Sequence, residues 1–216
     1  MLVVLGFVLS RTSTVQAFSV SEPDFAAQYD VVTITGEPEQ QQILLGELDN
    51  APEMYEIKSD TDFTLTAEIR AVPGDGEKPE FAGIIVRQKE VLGVEEVARM
   101  KASDATWAPV RDSTTGLVYL SGPFFSEKVK AGTYHIEVST PNNTGKYILV
   151  VGNHDEGAGY FDTIHAIRVV YDFYGYGIFQ MLLSAYIYYP IGIVIVIGLI
   201  IGTWYWSRRR PGTRYA

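Results

Sequence analysis

Apolar positions change their spacing twice along the chain. Between residues 29 and 152 they recur in short runs of period two; from 160 the period lengthens to that of a helix; from 178 it dissolves into an unbroken apolar stretch. The clearest alternation sets Tyr134, Ile136 and Val138 against His135, Glu137 and Ser139. Phe63, Leu65, Ala67 and Ile69 alternate in the same way with Thr64, Thr66, Glu68 and Arg70. Runs of this kind, bounded by turn residues, predict strands over 30–35, 42–46, 54–58, 63–72, 81–88, 97–100, 117–120, 124–130, 133–140 and 146–152. Residues 141–145, Pro-Asn-Asn-Thr-Gly, read as the loop of a hairpin. Residues 72–79 read as an exposed loop, and 103–115, which hold Trp107 and Pro109, receive no element. Many short strands with no helical period among them predict a mainly β, antiparallel sandwich.

The helical segment has Ile164, Ile167, Tyr171 and Tyr174 on one face, with Asp162 as the expected N-cap. Its aromatic ring favours a place in a membrane interface over packing on the sandwich. Gly175 and Gly177 then give a bend. No charged residue occurs between Ile178 and Trp206, which predicts a transmembrane helix over 178–206. Tyr186 to Trp206 alone covers roughly 30 Å at helical rise. Pro190 should kink it or begin a second segment, because proline cannot donate to the Tyr186 carbonyl. Trp204 and Trp206, followed by Arg208, Arg209 and Arg210, form the flank expected at a cytoplasmic boundary. Gly198 and Gly202 stand at the spacing that lets two membrane helices pair closely.

At the other end, the apolar run 2–9 is too short to span a bilayer and is followed by Val15-Gln16-Ala17, a pattern suited to signal peptidase after Ala17. No Lys or Arg precedes the run, so either the signal is weak or the start is truncated. The expected organisation is therefore a signal peptide (1–17), a flexible lead-in (18–28), a β-sandwich ectodomain (29–158), a juxtamembrane amphipathic helix (159–177), the transmembrane helix (178–206) and a basic cytoplasmic tail (207–216), a single-pass type I arrangement.

Charge sharpens this picture. The chain carries 26 acidic and 17 basic residues, a net −9. Setting aside Arg11 and the four arginines of the tail leaves 12 basic residues against 26 acidic, or −14 for the part expected outside. Such a surface disfavours nucleic acid. The absence of cysteine excludes disulfides, thiolate metal sites and a cysteine nucleophile.

Candidate chemistry is sparse. Asp60 and Asp62 precede a strand and are weak candidates for calcium; a solvated turn is the commoner meaning of such a pair. His135, His154 and His165 share no metal-ligand spacing. There is no nucleophile elbow, phosphate-cradling glycine loop or dinucleotide fingerprint. No cofactor and no catalytic residue is expected.

The stretch from Phe124 through Gly132-Thr133-Tyr134 to Val138, with Tyr147-Ile148-Leu149 after it, resembles the C-terminal half of bacterial prepeptidase C-terminal domains. Met54-Tyr55-Glu56-Ile57 followed by Phe63 to Thr66 resembles their opening strand pair, so the likeness covers about 42–152. The family's Asp before its central strand has no counterpart around Phe81 to Val86, so the likeness implies no calcium or ligand site here. It implies a jelly-roll-like sandwich used as a non-catalytic accessory module. The expected function is a membrane-anchored interaction module of the cell envelope, with the lipid bilayer and either an envelope protein or a second copy of the chain as partners. A surface-displayed carbohydrate- or calcium-binding module is the alternative, with Trp107, Phe124 and Phe125 as candidate sugar-stacking aromatics.

Overall fold

Alternation of buried and exposed side chains is written directly into the strands of the computed structural model, which describes residues 19–209 apart from 24, 26, 28, 75–77, 90 and 155–158. The proposed signal with its cleavage at Ala17, and Arg210 with the tail beyond it, lie outside the described residues. Eleven strands are described: β1 (Ser19–Ser21), β2 (Val31–Thr33), β3 (Gln42–Asp49), β4 (Glu53–Ser59), β5 (Phe63–Ala71), β6 (Ala82–Gln88), β7 (Val94–Met100), β8 (Ala108–Arg111), β9 (Val118–Val129), β10 (Gly132–Ser139) and β11 (Thr144–Val151). They form two sheets, in the order β1-β3-β11-β5-β9-β8 and β2-β4-β10-β6-β7. Inward residues of both sheets make one core, in which Tyr55, Leu65, Ile69, Ile85, Ile136 and Leu149 are fully buried.

The mainly β sandwich read from the sequence is present, with four differences. β1 and β2 pair parallel to β3 and β4, so the sandwich is not antiparallel throughout. Ser19–Ser21, expected in a flexible lead-in, is a strand of the first sheet. The runs expected at 117–120 and 124–130 are one 12-residue strand, β9, because a bulge sets Gly122 and Pro123 against Ile69 and the ladder resumes beyond it. Pro123 lies past the last β8 partner, on an open edge where its missing N–H costs no ladder bond. The stretch left without an element contains β8, whose residues are all exposed and show no alternation.

β11 is buried on both faces. Tyr147, Leu149 and Val151 enter the core, while Ile148 and Val150 face outward into a second cluster. Helix α1 (Tyr160–Phe173) covers that outer face with Ile167, Val170, Tyr171 and Phe173. The segment favoured for a membrane interface therefore packs on the sandwich. Its N-cap is Gly159 without a side-chain bond; Asp162, expected there, lies in the first turn, where its charge still complements the helix dipole. α1 ends where Gly175 turns left-handed (φ +75°), with Tyr176 N–H bonding the Tyr171 carbonyl and Gly175 N–H the Asp172 carbonyl.

A 3₁₀ helix (Ile178–Leu183) and the extended residue Ser184 lead into α2 (Ala185–Arg209). The α-helix thus begins seven residues later than the expected 178, and the break falls at Ser184 rather than at Pro190, which lies inside α2. Ala185–Arg208 is long and apolar enough to cross a membrane and is a candidate span; the apolar window within it has no buried residue.

Candidate functional site at the junction of sandwich and span

The turn at 112–117, between β8 and β9, is built around one carboxylate. Asp112 Oδ1 accepts the backbone N–H groups of Thr114 (3.0 Å) and Thr115 (2.6 Å) and the Thr115 hydroxyl (2.8 Å). Gly116 completes it at φ +76°, and a side chain there would strike the Leu183 carbonyl, so glycine is required twice over. The turn presents the carbonyls of Thr114 and Thr115 to the helices. The Ser184 hydroxyl, fully buried, donates to Thr114 at 2.6 Å. The Tyr171 hydroxyl donates to Thr115 at 2.8 Å. Burial pushes the Tyr171 and Tyr174 phenols above the ordinary tyrosine value, so both remain donors at physiological pH.

A third bond joins α1 to α2. Pro190 has no N–H to give the Tyr186 carbonyl, and the Tyr160 hydroxyl donates to that carbonyl instead, at 3.0 Å. The carbonyl that Pro190 leaves without its helical partner is thus satisfied by a cross-helix bond. Tyr160→Phe should therefore loosen the junction by about 1 kcal/mol in the parent, and by much less in a Pro190→Ala background, where residue 190 regains its N–H. A double-mutant cycle on thermal unfolding in mild detergent reads the coupling; equal losses in both backgrounds would contradict it.

Beside this junction, α1, the 3₁₀ helix and the first turns of α2 enclose a groove of about 670 Å³. Its walls include Ile164, Met181, Leu182, Ile187 and Ile191. Exposed apolar side chains continue around it and down α2.

The sequence-derived sites lie elsewhere and do not converge. Asp60 and Asp62 are on the exposed β4–β5 turn, where Asp62 accepts the Ala131 N–H at 3.0 Å and so ties that turn to the β9–β10 turn. Among the described residues no three His, Asp or Glu side chains come together as metal ligands. His135 approaches Glu56 at 3.5 Å on the outer face of the second sheet, and the Lys58 ammonium beside Glu56 holds that carboxyl below its ordinary range. Of the three candidate stacking aromatics, Trp107 is buried, with its indole N–H bonded to the Ala102 carbonyl, Phe125 is half-buried, and Phe124 alone is exposed. On α2, Gly198 and Gly202 face open space, Trp204 and Trp206 are exposed, and the Arg208 guanidinium lies 3.8 Å over the Trp204 ring.

Sequence reasoning missed one buried cluster. Glu53 enters the sandwich interior and receives the Tyr147 hydroxyl at 2.5 Å and the Tyr55 hydroxyl at 3.2 Å, the two phenol oxygens being 2.7 Å apart. Burial raises the Glu53 pKa, although the bonds from Tyr147, Tyr55 and the Glu47 backbone oppose the shift. The cluster closes one end of the core beside a cavity of about 330 Å³ bounded by Phe25 and Tyr29. The three groups satisfy one another's hydrogen bonds inside the core.

No family model and no curated protein matches the chain. Among solved structures, the pre-peptidase C-terminal domain of a collagenase from Bacillus anthracis aligns with a TM-score of 0.36 and 11% identity, over 60% of this chain and 98% of that one. The chain bears a weak resemblance to pre-peptidase C-terminal β-sandwiches. No ligand, activity or site residue passes from that protein to this one.

Proposed function

We propose that this protein is a non-catalytic β-sandwich held rigidly against the outer face of a membrane by α2, serving as an interaction module in an envelope assembly. The observation that carries the reading is the hydrogen-bonded mount: Ser184 to Thr114, Tyr171 to Thr115 and Tyr160 to Tyr186 fix the sandwich to the start of the candidate span. A domain that merely needs tethering gains nothing from such bonds, since a flexible linker suffices. A domain that must offer one face at a fixed height and angle needs them. The basic residues after Trp206 favour a cytoplasmic C-terminus, which leaves the sandwich outside.

The test compares the full-length protein, isolated in mild detergent, with a variant that removes the three donor hydroxyls, Y160F/Y171F/S184A. The reading expects a stoichiometric partner on the parent that is lost from the variant. Equal retention would remove the need for the mount. A solitary parent whose melting rises with calcium or a glycan would move the function to ligand binding. If the partner is a second copy, replacing Gly198 and Gly202 together by Ile should cut self-association several-fold in a membrane reporter.

A further inference from the structure

We infer that the groove between α1, the 3₁₀ helix and α2 seats an acyl chain of a phospholipid from the membrane that α2 crosses, with the phosphate held at His165 and Arg168. The inference rests on the reading of α2 as a span and goes beyond it, because a span requires only surrounding lipid and no seated molecule. Three observations point to this occupant.

The first is continuity. Ile187 and Ile191 of α2 line the groove, Ile187 half-buried against the helix cluster and Ile191 exposed, and Ile191 continues into the exposed apolar surface of the candidate span, so a lipid beside α2 reaches the groove without crossing water. The second is the rim. Phe161 and Phe179 are each 83% exposed at the groove's mouth, and Ile178 beside them is 66% exposed. Apolar rings left uncovered on this scale belong at a lipid interface. They also relocate the interfacial element: α1 turns its apolar stripe to the sheet, and the 3₁₀ helix with Phe161 faces the bilayer.

The third is charge. Arg168 is the sole Lys or Arg between Lys146 and Arg208, and it lines this apolar groove together with His165, one turn away on α1. Its neighbour Asp172 lies 3.7 Å away, with both side chains about two-thirds exposed. An ion pair so open to water is easily exchanged for a phosphate, which takes guanidinium in two-pronged fashion. The groove volume lies within the range of about 300–1,000 Å³ usual for ligand sites.

The test places the full-length protein in phosphatidylcholine vesicles doped with spin-labelled phosphatidylglycerol or with spin-labelled diacylglycerol of the same chains, which lacks the phosphate. The expected result is a motionally restricted component several-fold larger for phosphatidylglycerol, reduced to the diacylglycerol level in H165A/R168A. Both substituted side chains are exposed, so the fold should be kept, and hydrogen exchange of α1 checks that it is. Equal restriction of the two probes, unchanged in the variant, would mean ordinary lipid contact along α2 and would overturn the seat while leaving the span. Failure of the protein to float with vesicles would overturn the span and the seat together.

Discussion

Gly46→Ala should destabilise the sandwich by about 3 kcal/mol, more than any substitution on its surface. A Cβ at this position of β3 would press into the Tyr147 ring and the Glu53 carboxylate. Neither can retreat without cost. Tyr147 is fully buried on the central strand β11, and Glu53 is 9% exposed and bonded to both phenols. Space for one methyl must come from moving β3 away from β11, which breaks the ladder from Gln42 to Asp49, or from expelling Glu53 and leaving the two tyrosine hydroxyls without their acceptor. Hydrogen exchange by mass spectrometry on the full-length protein in detergent reads the result: faster exchange of β3, β4 and β11 is expected, with α2 unaffected. Protection equal to the parent would show that the interior yields where the geometry says it does not.

The same residues show how far the sequence carried. The strand pattern was legible because most strands have one wet face, and alternation along β5 and β10 reports it. The unbroken run from Tyr147 to Val151 carried a further message: five consecutive apolar residues in a strand mean burial on both faces. Set beside the stripe of Ile167, Val170 and Tyr171, that run implies that α1 lies on the sheet. The aromatic ring of α1 argued for an interface because Tyr and Phe suit both settings, and only the partner face decides between them. β1 was illegible because a three-residue strand holds too little pattern, β2 was read as part of a longer run at 30–35, and β8 was illegible because it is exposed throughout. The 112–117 turn had a readable signal, an Asp followed by Ser-Thr-Thr-Gly, but its role as the seat for Ser184 and Tyr171 arises from residues some 55–70 positions away. Glu53 was missed because the strand was read from residue 54, although period two sets position 53 on the buried face with Tyr55 and Ile57.

Tyr147→Phe should cost about 2 kcal/mol at neutral pH and distinctly less in acid. The argument runs through Glu53. Its pKa in the folded protein lies above the ordinary value, chiefly because burial penalises the charged carboxylate, with the Tyr147 hydroxyl the largest opposing influence. A carboxyl with a raised folded pKa binds its proton more tightly when folded. Its contribution to stability is therefore complete below the unfolded value, near pH 4.5, and is lost as pH rises through the folded value. Removing the Tyr147 hydroxyl raises the folded value further, which widens that window and deepens the loss above it. The Tyr147→Phe deficit should accordingly be small where Glu53 is protonated in both states and should grow steadily toward neutrality. Glu53→Gln removes the titration and keeps an oxygen acceptor for the phenols, so in that background the deficit should become independent of pH. Denaturant unfolding of the full-length protein across this range, for the parent, both single variants and the double variant, decides it. A deficit from Tyr147→Phe that stays constant with pH in the parent background would mean that Glu53 is not the group through which Tyr147 acts.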